Sequence, residues 1–325
     1  MNDILRFNLP LEGLANTMII GIPRALLYYK YKHLWKSFFK ELGIDYIVSP
    51  DTNKEILRKG STYSIDESCL SSKIYLGHVE WLLDKCDYIL VPRYSDYSRN
   101  GTVCPKFLAI YDLVANIFRD RSINLLSYSL NPKVTHVEMA AFLKLGKILD
   151  KKKSQSLYAY LKAKQAEKKA HLLEITEQEC LLHENKPKIL VIAHRYNICD
   201  KYIGEPILNI LREQETVPII GDIAPPEEAL ANYAQISETL PWVCNRELVG
   251  SIPIYKDRVD GIILMSAFPC GPDSLVNEIL IRRVKDKPIL NLMIDGQEGK
   301  AGMETRLESF IDIIRFKKDE YNGRN

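Results

Sequence analysis

Two parallel-sheet α/β lobes joined by a helical connector are what this sequence predicts, on three observations. Short apolar runs alternate with helix-length segments from Met18 to Tyr128. The alternation stops between Asn131 and Glu184, where lysines dominate and no strand signal appears. It then resumes from Lys188 to Phe316. The corresponding division is a first Rossmann-like lobe over residues 17–130, a helical connector over 131–186 and a second Rossmann-like lobe over 187–318. Sheets of this kind bind ligands at the carboxyl ends of their strands, and a pair of lobes adds the cleft between them.

Each element has a local reason. Met18 to Ile22 is an apolar strand, and Ala25 to Leu42 a helix that Gly43 closes as a C-cap. Ile44 to Val48 is a second strand; Asp51, Thr52 and Asn53 offer N-caps for a helix to Lys59. Ser71 to Leu83 is helical, Asp87 to Val91 a strand, and Pro105 suits the first turn of a helix to Arg119. Ile123 to Tyr128 is a further strand. In the connector, Leu143, Leu145, Ile148, Leu157, Tyr160 and Leu161 fit a helical stripe, and the lysines fit a solvated face or, alternatively, a docking stripe for an acidic partner. In the second half, strands are expected over 188–193, 217–220, 260–265 and 288–294, with helices over 203–212, 274–285 and 302–316.

At 325 residues, 46% apolar and 26% charged, the chain can build two ordinary cores. A net charge of +2 argues against a nucleic-acid binder. The N-terminus shows no signal-peptide pattern and no apolar run reaches bilayer length, so a cytoplasmic location without membrane contact is expected. Seven cysteines without regular spacing then read as reduced thiols, not a disulfide framework.

Three of them, Cys69, Cys104 and Cys270, share a setting: a loop read as leaving an apolar strand and about to start a helix. The unpaired N–H groups and positive dipole end of a helix start are expected to lower a thiol pKa and favour metal ligation. Converging, the three would hold one iron–sulfur cluster and leave one iron open. The plainer alternatives are small buried residues or spare thiols, or a structural zinc site, which favours C-x₂-C pairs that are absent here. Cys86 and Cys180 lack the shared setting; Cys199 and Cys244 lie in the second lobe as reserve ligands. His194 and Arg93 each follow a strand and are candidate catalytic residues; the alternatives are a histidine that satisfies local backbone groups and a surface arginine. Arg24, in Gly21-Ile22-Pro23-Arg24, can present a bidentate fork to a phosphate or carboxylate and is a candidate cofactor-binding residue; the alternative is a turn with a surface arginine. His78, within a helix, suits core packing as well as a site. The loop Asp295 to Gly299 follows the last strand; its glycines suit approach to a ligand that Glu298 and Arg306 could face, the alternative being a solvated loop. G-x-G-x-x-G and the Walker pattern are both missing, so ATP hydrolysis by this chain is not expected.

Several motifs together resemble the proteins related to 2-hydroxyacyl-CoA dehydratases. They are Ile20-Gly21-Ile22-Pro23-Arg24-Ala25-Leu26, Ser49-Pro50-Asp51-Thr52-Asn53-Lys54, Asp66-Glu67-Ser68-Cys69, Gly77-His78, Pro92-Arg93, Cys104-Pro105-Lys106-Phe107 and Cys270-Gly271-Pro272-Asp273. The chain resembles most the dehydratase-activase-related branch, and is similar to the dehydratase D-component and the double-cubane cluster proteins. The resemblance implies two Rossmann-like lobes and a [4Fe–4S] cluster held by Cys69, Cys104 and Cys270. It implies a separate ATP-dependent activase of the actin/Hsp70 type as electron donor, since no activase domain is recognisable in these residues. It further implies a small anionic or acyl-CoA-like ligand, a homo- or heterodimeric assembly and oxygen sensitivity. The expected function is a [4Fe–4S] electron-transfer or reductive component. The rival is a non-redox cleft binder or regulatory partner of an activase.

Overall fold

The computed structural model describes residues 18–94, 101–130, 135–296 and 300–322. The first lobe runs β1 (Ile19–Ile22), α1 (Tyr28–Glu41), β2 (Asp45–Val48), α2 (Lys54–Thr62), α3 (Leu70–Leu82), β3 (Tyr88–Leu90), β4 (Arg93–Tyr94), α4 (Pro105–Leu108), α5 (Ile110–Ile117), β5 (Leu125–Leu126) and β6 (Ser129–Leu130). Then come α6 (Thr135–Ile148) and α7 (Lys153–Leu181). The second lobe runs β7 (Lys188–Ile192), α8 (Arg195–Ile198), α9 (Glu205–Glu213), β8 (Val217–Ile220), α10 (Pro226–Asn232), α11 (Val243–Tyr255), β9 (Gly261–Ala267), α12 (Gly271–Arg283), β10 (Ile289–Ile294) and α13 (Lys300–Asn322).

Each lobe is built on a four-stranded parallel sheet, ordered β2-β1-β3-β5 in the first and β8-β7-β9-β10 in the second. Both read second-first-third-fourth along the chain, so one topology occurs twice without a residue-level repeat. Its switch point lies between the first and third strands, where a doubly wound sheet opens a crevice. A two-stranded parallel pair, β4-β6, extends the first lobe. The second sheet is covered on both faces by separate apolar clusters, as a buried parallel sheet requires.

The local signals place most boundaries within a few residues. Asn53 caps α2 by accepting from the N–H groups of Glu55 and Ile56. Gly43 takes φ +64° just past α1, where a side chain would be strained. The run read as one helix from Pro105 is two, α4 and α5, meeting at Ala109; nothing in the local sequence marks the break. Gly21 serves packing, not ligand approach: a Cβ there would lie 2.5 Å from Cys86 Sγ.

The connector docks on both lobes. Phe142 of α6 and Tyr160 of α7 join the first-lobe core. Lys164, one of the lysines expected on a solvated face, is instead paired with Glu138 at 3.1 Å and Glu167 at 2.5 Å. Further along α7, the Gln178 side-chain oxygen accepts from the N–H of Ile220 (2.8 Å) while its amide donates to the Ile220 carbonyl (3.1 Å), satisfying the free edge of β8. Arg195 at the start of α8 donates to Glu174 of α7 (2.7 Å) and to Asp222 (3.0 Å). Burial alone would raise the Glu174 pKa, but His171 and Arg195 outweigh it and bring it down from 4.5 to about 2. A carboxylate held below its unfolded value stabilises the fold fully above pH 4.5 and loses that contribution as pH falls towards about 2. Acid titration followed by circular dichroism should therefore show Glu174→Gln less stable than the parent at pH 6, with the gap closing as pH falls through about 2. A constant difference across that range would rule the ion pair out as the cause.

Candidate functional site: a thiol-lined cavity between the lobes

Five helix starts converge where the lobes meet. The N-cap residues are Cys69 for α3, Cys104 for α4, His194 for α8, Trp242 for α11 and Cys270 for α12, and all five line one cavity of about 40 Å³. The cavity thus brings together Cys69, Cys104, Cys270 and His194, with Cys244 from the first turn of α11 added. What the three cysteines share is the N-cap position, not the exit from a strand. Cys69 follows α2, whereas Cys270 comes soon after a strand, β9.

Two backbone ties hold the lobes together beside the thiols. The N–H of Leu70, next to Cys69, donates to the Phe268 carbonyl near Cys270 (2.8 Å). Thr102, near Cys104, forms a parallel bridge with Trp242: its N–H donates to Pro241 O (2.8 Å) and its carbonyl accepts from Val243 N (2.9 Å). A third link is polar and buried. Asp200 accepts from Thr52 Oγ1 (2.5 Å) and Tyr29 OH (3.1 Å), and Thr52 Oγ1 also meets His78 Nε2 (3.0 Å). His78 bonds Ser49 Oγ through its other nitrogen (2.9 Å). Burial, helped by Arg24, lowers the His78 pKa to about 3, so the imidazole is neutral and structural.

The pKa expectation for the thiols is reversed. The N–H groups of Ser72, of Lys106 and Phe107, and of Asp273 do pull the pKa of Cys69, Cys104 and Cys270 down. Burial acts more strongly in the other direction, and all three end above their ordinary value. Without a metal they are thiols at neutral pH. Ligation would release their protons.

His194 is buried and bonds Asp273 Oδ1 through Nε2 (3.0 Å). Asn245 donates to the same oxygen (2.9 Å). Burial disfavours charge on both members, yet each holds the other ionised: His194 is raised and Asp273 lowered. The Tyr196 ring stacks on His194 at 5.0 Å and meets Phe107 edge-on. Burial raises the phenol well above its usual pKa, and Asp273, Cys270, Cys69 and Cys244 add to the shift, so Tyr196 stays protonated beside the thiols. Leu26, also on the wall, takes φ +48°, a left-handed conformation costly for leucine.

Arg24 and Arg93 are not on the cavity wall. Arg24 folds back onto the end of β2, donating to Ser49 O (2.9 Å) and pairing with Asp51 (2.5 Å). Arg93, on β4, lies half-exposed by Asp112 and Ser129. Strand-end position alone did not predict direction: acceptors at the end of β2 hold Arg24, and Arg93 stays half-exposed beside Asp112 and Ser129. Arg306 donates to Asn291 O (2.6 Å), and Glu298 lies outside the described residues. Ser72, Lys106, Tyr196, Asn197 and Asp273 are wall residues that the sequence did not mark as such. Lys106 and Asp273 stand in motifs it singled out, two and three residues after their cysteines.

Among the described residues, no group of three or more His, Cys, Asp or Glu side chains is gathered closely enough to hold a single metal ion. In a cubane each thiolate binds a different iron, so its ligands stand further apart than those of one ion. In kind, the wall suits such a cluster: thiols from separate helices, the Lys106 ammonium, and two buried polar atoms without a partner, Ser72 Oγ and Asn197 Nδ2. Ser71 Oγ holds Asn197 in place through its Oδ1 (2.7 Å). In size, the space takes about three waters. The lining must therefore yield as a cluster enters.

Two lobes of one topology closing on a thiol-lined cavity define a two-lobed α/β cleft protein. The chain belongs to the family described as CoA enzyme activase uncharacterised domain (DUF2229), which it matches over residues 19–223. That span includes Cys69, Cys104 and His194 and stops short of Cys244 and Cys270. No curated protein matches the chain. Among solved structures, the Mn²⁺ complex of FpvC from Pseudomonas aeruginosa is 12% identical over 94% of this chain and 100% of its own, with a TM-score of 0.31. A zinc-bound AdcAII variant from Streptococcus pneumoniae is 12% identical over 91% and 97%, with a TM-score of 0.28. Likeness this distant does not bear on the site. No helix among the described residues is long and apolar enough to cross a membrane.

Proposed function

We propose that this protein is an iron–sulfur electron-transfer or reductive component, related to the 2-hydroxyacyl-CoA dehydratase subunits. Cys69, Cys104 and Cys270 would hold a [4Fe–4S] cluster, charged with low-potential electrons by a separate ATP-dependent activase in the cytoplasm. The observation that carries this reading is the meeting of three N-cap thiols from both lobes in one cavity, with Ser72 Oγ and Asn197 Nδ2 buried and unpartnered on its wall. When bound, the cluster would supply one-electron chemistry. The chain's own residues do the rest. The helix starts and Lys106 favour negative charge in the cavity. Ser72 and Asn197 can donate to sulfur, Asp273 fixes His194 and Asn245, and Phe107, Trp242 and Tyr196 limit water. Arg24 and Arg93 have no part in this reading.

The rival, a non-redox cleft binder or regulatory partner of an activase, draws on a second space of about 420 Å³. Charged residues of α1, α7 and the second lobe line it, among them Lys30, Glu167, Glu174, Arg195, Asp222 and Glu247. Its volume suits a small polar ligand.

Iron and acid-labile sulfide after strictly anaerobic purification separate the two. About four of each per chain, with a brown absorbance that bleaches in air, is the expected result. Cys104→Ser should lose most of the iron. A parent protein that takes up no iron on anaerobic reconstitution, or a Cys104→Ser variant with unchanged iron, would sink the ligand assignment.

A further inference from the structure

Of the seven cysteines, Cys86 bonds the Leu82 carbonyl beside β3, Cys180 is exposed on α7, and Cys199 ends α8 away from the cavity wall. The remaining four, Cys69, Cys104, Cys244 and Cys270, all line the thiol cavity. Two come from each lobe. The ties between lobes match them in pairs: Leu70 to Phe268 lies beside Cys69 and Cys270, and the bridge between Thr102 and Trp242 lies beside Cys104 and Cys244. Cys244 also lines a narrow space of about 30 Å³ with Lys30, Arg195, Asp222 and Glu247, residues that belong to the charged cavity as well. It therefore stands where that cavity meets the thiol site.

We propose that Cys244 is the fourth thiolate ligand, so that the site holds a fully cysteine-ligated [4Fe–4S] cluster. This rests on the cluster reading above and narrows it. With a thiolate at every corner no iron is left open to substrate, and the role becomes electron transfer. The fourth iron–sulfur bond forms as the Cys244 thiol gives up its proton. Two helices from each lobe then clamp the cluster, which couples lobe closure to cluster assembly.

The test is mild oxidation of the anaerobically reconstituted full chain with ferricyanide. An iron without a thiolate is the labile one: the cluster gives one electron to the oxidant and releases one Fe²⁺, leaving a three-iron cluster detectable by electron paramagnetic resonance and a free ion detectable by a ferrous chelator. The parent and Cys199→Ser should keep their iron and show no three-iron signal. Cys244→Ala should give the signal and lose about one iron in four. A parent protein that loses iron and shows the signal as readily as Cys244→Ala overturns this inference while leaving the cluster reading intact. A parent that binds no iron overturns both. The parent measurement decides the matter even where Cys244→Ala fails to fold.

Discussion

Gly77→Ala is expected to destabilise the protein by about 3 kcal/mol, the upper part of the usual range for overpacking a core. Helices α2 and α3 touch backbone to backbone. A Cβ on Gly77 would lie 2.0 Å from the Ile56 carbonyl oxygen, and one on Gly60 would lie 1.8 Å from that of Lys73. Neither obstacle is the end of a flexible side chain, so the helices themselves must part. Because α3 begins at Cys69, parting them also moves a thiol of the cavity. On the proposed cluster reading, the variant should therefore take up less iron as well as unfold at lower urea. Gly271→Ala is the control: it follows Cys270, has nothing within 4 Å of its Cβ position, and should change stability by less than about 0.5 kcal/mol. Equal midpoints for Gly77→Ala and the parent would mean that the two helices are not packed this closely.

Asp273→Ala is the second large effect, expected to cost about 3–5 kcal/mol because it strands one member of a buried ion pair. His194 and Asp273 are each more than nine-tenths buried, and Asn245 shares the same carboxylate oxygen. The pH profile identifies the cause. The Asp273 pKa lies below its unfolded value of 3.8, so its contribution is present above pH 3.8 and lost as pH falls through the native value. The His194 pKa lies above 6.5, so its contribution is complete below pH 6.5 and lost as pH rises through the native value. The parent's advantage over Asp273→Ala should thus be widest between pH 3.8 and 6.5 and shrink on both sides. Chemical denaturation at several pH values measures it. A difference that does not vary with pH would assign the loss to packing.

Much of the architecture was legible because its causes are local. Asn53 accepts from N–H groups two and three residues on, and Gly43 relieves strain at its own φ; both act within one turn and leave a mark in sequence. The shared N-cap position of Cys69, Cys104 and Cys270 was legible for the same reason. The setting before each cysteine was not, since Cys69 follows a helix. The directions of Arg24 and Arg93 were not legible either, because they depend on acceptors brought by other elements: Ser49 and Asp51 for one, Asp112 and Ser129 for the other.

The alternation of apolar runs and helix-length segments determined by itself two α/β lobes, a helical connector and the position of three thiols at helix starts. Only the tertiary structure decided that these thiols share a wall with Cys244, His194, Tyr196 and Asp273. It also decided that burial outweighs the helix amides and raises the thiol pKa values. The reason is one of range. Propensity and capping act over a few residues, whereas desolvation and the meeting of walls depend on bonds between lobes, such as Leu70 to Phe268 and Thr52 to Asp200, whose partners lie far apart along the chain.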